Sequence, residues 1–467
     1  MEDNVLRSVP LDQRKSGWAL SLNSMSAATP LICLAIAGTV VSRSGILVGL
    51  LAAVLVTVFG TVLGWLVGHI TFLEGVSNTV STRLYGLGIR GSAVASAIFA
   101  FMTLGFLAIE NVLLYNAVEF MFDIPPTTLN KVLIYGVFTL LWILLTAFGM
   151  SFVTKTSGLL LAASAVLIVI VTAIGLHGSG IPLGTILSHG PTVSDVGSFG
   201  DRFSFALVTL VASTGSLTLT AADYTRYARG TRDVGITAFA GSLVINVVLV
   251  LFGALIFYGG SVVVQQYLID NGKATAQSAQ AAAVALSEIN AGAFLIAITP
   301  LGFLLACAIQ AKIQVLNAYS SSLALTNMFD GLLRRRPARV LMVVLGNAIA
   351  LIMVFAGILD VLNAWLGILG VITTALIGVI IADFYIVRRS RRADPQTAEN
   401  VNWAGVLTVT VATVLGEVLQ ETGVFSLGFL VSLFAGLLIY PVLRRSLLAP
   451  GTGTTIEPVG LDRLSQE

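Results

Sequence analysis

Twelve apolar stretches divide this chain so that nearly all its basic residues gather on one side. The stretches cover residues 18–42, 45–68, 92–122, 131–151, 156–177, 203–224, 234–259, 293–326, 339–357, 359–387, 403–422 and 425–443. Threading them back and forth places all of the 25 Lys and Arg residues, except Arg43, Lys131, Arg202, Lys273 and Lys312, on the side that also holds both chain ends. The first four exceptions lie opposite, and Lys312 lies inside span 8. Short cytoplasmic loops retain Lys and Arg, so both termini are expected in the cytoplasm. A wrong number of crossings would scatter the charges over both faces.

The chain has 467 residues, 56% hydrophobic and only 10% charged, with mean hydropathy +0.95. A soluble domain carries about 25% charged residues. A helix of about 20 apolar residues crosses the hydrocarbon core, where backbone groups must bond internally. The expected fold class is therefore an all-α membrane protein with twelve transmembrane helices and no separate soluble domain. The net charge of +2 says nothing about nucleic acid, because the basic residues are spread as short clusters; the run Arg334–Arg336 reads as a topology signal, and no nucleic-acid partner is expected. The first 17 residues lack the apolar core of a signal peptide. Cys33 and Cys307 lie in spans 1 and 8 and read as small packing residues. Abundant Arg, Ala and Gly suggest a GC-rich genome, and a bacterial inner membrane is the expected location.

Four regions follow: a cytoplasmic N-terminal tail over 1–17, a ten-helix core over 18–387, two further helices within 388–445, and a cytoplasmic tail over 446–467, whose segment after Pro450 reads as disordered. The loop at 260–292 reads as one short amphipathic helix on the outer face. Gly60, Gly64 and Gly68 put a bare stripe on span 2, against which another helix can pack closely.

Two spans carry signals for a break. Span 1 runs Ser21 to Pro30 through Asn23, Ser24, Ser26 and Thr29, with proline near mid-membrane. Span 6 contains Ala212, Ser213, Thr214, Gly215 and Ser216. Proline removes a helix bond and glycine permits unusual dihedrals. Spans 1 and 6 correspond if the first ten helices form two five-helix halves, inverted because five is odd. Paired interruptions of this kind point to a transporter's binding site.

Two charges lie deep within spans: Glu110 in the middle of span 3 and Lys312 in span 8. Each costs at least about 2.5–3.5 kcal/mol at the bilayer centre. Gln310, Gln314 and Asn317 recur at helical spacing beside Lys312. One reading is a structural ion pair locking two helices, although such pairs add little stability. The other is that Glu110 contacts substrate or carries a coupling proton while Lys312 serves as an internal cation. Asp223, Asp360 and Asp383 fall near span ends and read as solvated or capping.

The segment Ala222–Arg229, with Asp223, Tyr224, Arg226 and Tyr227, resembles the Asp-aromatic-x-Arg-aromatic signature of the nucleobase–cation symporters, the purine/cytosine permease family. Asn317 to Leu323 resembles the family's span 8, and Gly105-Phe106 with Glu110 its span 3. The resemblance covers roughly 1–445. It implies the five-plus-five inverted-repeat fold of the leucine-transporter type plus two C-terminal helices, with substrate between spans 1, 3, 6 and 8. It implies that Phe106 stacks on a flat base where Trp is usual, and that Glu110 hydrogen-bonds it. It matches Ala212, Ser213, Thr214 and Ser216 to the span 6 contacts, with Thr214 where an aromatic is common, and Ser26 to Thr29 to the span 1 break. Sodium-coupled members bind the ion with hydroxyl residues on span 8. Here Lys312 and Ile313 take those places, so transport is expected to be sodium-independent and proton-coupled.

The expected protein is thus a secondary-active importer of a nucleobase-like substrate such as cytosine or a purine, working by alternating access. Ser213, Ser216, Gln310, Gln314 and Asn317 would orient the ligand. The alternative is a same-fold transporter for a cationic amine, an amino acid or a vitamin precursor. A channel lacks a filter motif here. An enzyme lacks a nucleophile–base set, since His69, His177 and His189 fall at span ends or in loops, and no cofactor or metal is expected.

Overall fold

The computed structural model describes residues 8–147, 150–194, 196–335, 337–394 and 396–459. Arg7, Arg336 and Arg463 of the basic set lie outside them. Among the described residues, ten helices are long and apolar enough to cross a membrane, and a bent pair supplies an eleventh. Span 1 is that pair: half-helix 1a (Gly17–Ala27) and half-helix 1b (Leu31–Ser44), set at 70°. Spans 2 to 8 are Ile46–Glu74, Ser92–Phe122, Thr128–Ala147, Met150–Ser179, Phe199–Thr225, Thr231–Tyr258 and Leu301–Leu333. Span 9 is the 17-residue helix Arg339–Phe355, short but within the range of about 17–25 residues that spans a bilayer. Spans 10 to 12 are Ala364–Val387, Trp403–Glu421 and Gly428–Arg445.

The packing follows the two-halves arithmetic. Span 2 lies along span 6, half-helix 1a lies along span 7, and span 3 lies along span 8. Exchanging the halves turns the first pairing into the second and leaves the third unchanged, as an inverted repeat requires. The span 2 glycines are what let these helices meet. A Cβ on Gly60 would overlap Thr214 and stand 3.0 Å from Ser242 Oγ, and one on Gly64 would stand 3.1 Å from Ala238.

Three expectations change. Span 6 is one continuous helix. Its hydroxyls stabilise it from within: Thr214 Oγ1 donates to Leu210 O at 2.9 Å and Ser216 Oγ to Ala212 O at 3.0 Å. Gly215 serves close packing, since a Cβ there would stand 2.8 Å from Thr373 Oγ1 of span 10. The loop between spans 7 and 8 holds two helices, Ser261–Asp270 and Ala279–Ile289, followed by a third, Ala291–Ile298, before span 8. The described part of the C-terminal tail is ordered. Strand β2 (Ile456–Pro458) pairs antiparallel with β1 (Thr397–Glu399), because the loop after span 10 offers it an unpaired edge.

One end of the bundle collects the basic residues around the loop joining spans 2 and 3. Arg83, only 2% exposed, donates to Asn327 Oδ1 at 2.6 Å, to Asp330 Oδ2 at 2.7 Å and to Val459 O at 3.4 Å. Asp383, read as solvated or capping, is neither: it is buried, pairs with Arg388 at 3.2 Å, and accepts from Gly86 N of the loop joining spans 2 and 3 at 2.9 Å and from Tyr440 OH at 2.8 Å. Burial, then the neighbouring Glu74 carboxylate, raises the pKa of the Tyr85 hydroxyl. Ile89 N and Arg90 N donate to Glu399 O and Asn400 O at 2.9 and 2.7 Å. The opposite end opens as a vestibule of about 600 Å³ whose lining includes Arg43, Glu288 and Asp360, and also Ile32 and Ala212.

Candidate functional site

Pro30, with extended backbone, separates the two half-helices of span 1. The last carbonyls of a helix and the first N–H groups of the next lack internal partners. Lys312 supplies the first set. Its Nζ donates to Ser26 O at 3.0 Å, Thr29 O at 2.8 Å and Thr29 Oγ1 at 2.6 Å. The Thr29 hydroxyl donates its own proton to Met25 O at 3.0 Å, which leaves its oxygen to accept. An ammonium has three protons, and all three are engaged. Glu110 supplies the other end, where its Oε1 accepts from Ile32 N at 3.1 Å. The cation sits at the C-terminal end of 1a and the carboxylate at the N-terminal end of 1b, the favourable placements for a helix dipole. No direct ion pair joins the two.

Span 8 then builds a polar face against span 3. Gln310 Nε2 donates to Glu110 O at 3.0 Å, and Gln314 Nε2 to Leu107 O at 3.1 Å and Asn111 Oδ1 at 2.7 Å. Trp142 of span 4 donates Nε1–H to the same Asn111 Oδ1 at 2.9 Å. Of the buried side-chain atoms without a protein partner among the described residues, Glu110 Oε2, Gln310 Oε1, Gln314 Oε1, Asn317 Nδ2 and Ser213 Oγ gather on these elements. Buried polar atoms are normally bonded, so a group of them left open on neighbouring elements marks a place for a polar ligand or water.

Beside them lies a cavity of about 30 Å³ between spans 1, 3, 6, 7 and 8. Ligand pockets run to about 300–1,000 Å³, so the site is contracted here. Its wall includes Pro30, Cys33, Phe106, Ser213, Ser216 and Asn317. Phe106 meets Trp365 of span 10 edge-on, ring centroids 4.9 Å apart. Gly105 admits that indole, since a Cβ there would overlap it.

The expected residues therefore divide. Phe106, Ser213, Ser216 and Asn317 line the cavity. Glu110, Gln310 and Gln314 adjoin it through the span 3–span 8 face, and Ser26 and Thr29 hold Lys312. Ala212 lines the vestibule at the other end of the bundle instead. Thr214 turns away, bonding Asn246 Oδ1 of span 7 at 3.1 Å. The signature residues lie at the C-terminal end of span 6. Asp223, buried rather than solvated, accepts from Asn78 N at 2.7 Å, and buried Arg226 lies 4.9 Å from the Tyr227 ring.

Reading the sequence missed Trp365, Trp142 and Asn111. Asn111 follows Glu110 directly, and a second polar residue in an apolar span was the available signal. Cys33, expected only to pack, is free and lines the cavity. Among the described residues, no group of three or more His, Cys, Asp or Glu could hold a metal ion.

Three solved structures share the arrangement. Mhp1 in its inward-facing conformation is 18% identical, covering 96% of this chain and 94% of that one, with a TM-score of 0.70. Mhp1, a nucleobase-cation-symport-1 family transporter, closed with bromovinylhydantoin bound, is 17% identical over 95% of each chain, with a TM-score of 0.68. A Na+-coupled sialic acid symporter in a substrate-bound outward-open state is 13% identical over 95% of this chain and 92% of that one, with a TM-score of 0.63. These establish the fold: ten helices in two inverted halves and two more. No curated protein matches the chain in sequence. A family model described as permease for cytosine/purines, uracil, thiamine, allantoin matches residues 9–439. With the span 1 break, the span 3–span 8 polar face and this match in hand, the chain belongs to that family of permeases.

Proposed function

We propose that this permease imports a small flat nitrogen heterocycle, such as cytosine or a purine, without sodium and coupled to protons. The observation that carries the sodium-independent part is Lys312, whose three protons engage Ser26 O, Thr29 O and Thr29 Oγ1. A sodium ion at this break would need those same oxygens. Phe106 would stack on the ring, and Glu110, Gln310, Gln314, Asn317 and Ser213 would bond its edge. Glu110 would carry the coupling proton. Alternating access would move spans 1, 2, 6 and 7 against spans 3, 4, 8 and 9. The gathered basic residues support a cytoplasmic location for that end and for both termini, in a bacterial inner membrane.

The test is uptake of labelled cytosine and adenine by the full chain in proteoliposomes. A pH gradient, alkaline inside, should drive accumulation equally in sodium and potassium buffers. Sodium-stimulated uptake would refute the role given to Lys312. Uptake of a cationic amine unaffected by nucleobases would move the protein to the same-fold alternative, which the open Glu110 oxygen also fits.

A further inference from the structure

We infer that Cys33 is part of the wall that substrate touches, and so a modification site: a small thiol-directed reagent entering the cavity blocks binding there, and bound substrate shields the thiol. This rests on the proposed binding of a flat heterocycle in this cavity. Cys33 lies in the first turn of half-helix 1b, is 3% exposed, and lines the cavity with Pro30 and Phe106. A free thiol packs as a small hydrophobe, so these three residues offer the cavity apolar surface. Ser213 and Asn317 line the same cavity, are 3% and 8% exposed, and carry Oγ and Nδ2 atoms without a protein partner. Buried polar atoms are normally bonded, so these two await a ligand or water. A ring stacked on Phe106 and bonded at Ser213 and Asn317 fills the space that Cys33 helps to enclose.

A buried thiol is inert, so Cys33 reacts only when its site opens. On half-helix 1b, Ile32 lines the vestibule and Cys33 the cavity; on span 6, Ala212 lines the vestibule and Ser213 the cavity. On both elements the two spaces are divided by the step between adjacent residues. Opening the site toward the vestibule therefore brings the thiol within reach of solutes. Cys307, the other cysteine of the chain, packs against the cluster that holds Leu114 and Trp142 and does not line the cavity. With methyl methanethiosulfonate, the Cys33 sulfur attacks the methylthio sulfur and its proton passes to solvent. An S–S bond forms, the S–SO2 bond breaks, and methanesulfinate leaves with the electron pair. The S–CH3 group left on Cys33 occupies room that the ligand needs.

The test uses the purified full chain carrying Cys307→Ser, which leaves one thiol and should bind bases as the unaltered chain does. Intact mass follows labelling by methyl methanethiosulfonate, and affinities for cytosine and adenine are measured before and after. A ligand at about 100 times its Kd leaves about 1% of sites free, so labelling should slow about tenfold or more. The labelled chain should bind the bases about tenfold or more weakly, and dithiothreitol, which restores the thiol, should restore the affinity. A labelled chain with unchanged affinity would overturn the inference, as would labelling undiminished by a base that binds. A thiol that never labels in the free protein would overturn it too. Protection by a cationic amine, with no binding of either base, would uphold Cys33 as a wall of the site and remove the nucleobase reading beneath it.

Discussion

Lys312 and Glu110 serve one broken helix from opposite ends and do not pair with each other. The ammonium closes the carbonyl end of half-helix 1a, and the carboxylate meets Ile32 N at the start of half-helix 1b. Each charge balances a helix end, so removing one leaves a helix end unsatisfied rather than a lone counter-charge. The two residues are thus separable by mutation, which a simple ion pair would not be.

Lys312→Thr should expose this at once. Loss of the ammonium leaves three oxygens without donors, at about 1–3 kcal/mol for a buried polar group. The new hydroxyl would stand among them as a further oxygen ligand. Thermal unfolding of the variant should fall in potassium buffer and recover partly in sodium, while the wild-type protein unfolds alike in both. A variant equally stable in the two salts would show that these oxygens do not accept sodium.

Glu110→Gln keeps an oxygen for Ile32 N but removes the charge. Hydrogen bonds to charged groups contribute about 1.5–3 kcal/mol, so ligand affinity should drop about ten- to a hundredfold. Exchange of substrate down its own gradient should survive better than proton-driven uptake. Equal loss of both would argue against a coupling proton on this residue.

Gly60→Val tests the packing of span 2. Its side chain would drive into Thr214 and Ser242, and overpacking costs about 1–3 kcal/mol. Gly136→Ala in span 4, where a Cβ meets nothing within 4 Å, should be silent. Comparing the melting temperatures of the two variants in one detergent settles the point.

Truncation after Pro450 should loosen one surface while leaving the bundle intact. Arg83 would keep Asn327 and Asp330 but lose Val459 O, and β1 would lose its partner strand. Amide hydrogen exchange at Ile89 and Arg90 should quicken about tenfold or more, since local opening governs exchange there. Unchanged protection would show that β1 holds the loop without the tail.

Much of this architecture was legible because the bilayer imposes it. Span lengths, the gathering of basic residues and the glycine stripe each follow from a one-dimensional pattern. So does the isolation of Glu110 and Lys312, because a charge inside an apolar run has no ordinary reason to be there. Their separate bonding was not legible, since it depends on where the span 1 break falls relative to spans 3 and 8. Span 6 misled because Ser, Thr and Gly permit a break but equally permit hydroxyls to bond within an unbroken helix. Trp142 was invisible because its partner lies on another span and an indole in an apolar helix looks like packing. Strand β2 escaped for the same reason: three residues carry no periodicity until their partner is known.

The bond from Arg83 to Val459 O closes a loop of 376 residues. Synthesis at about 5–20 residues per second separates its two ends by roughly 20–75 s. For that interval a nascent chain has its early spans complete while the surface around residues 75–91 lacks its last strand. The strand around Val459 thus acts as a late seal on a surface laid down much earlier, and a fusion or tag placed there would meet the protein at the step when that face is being finished.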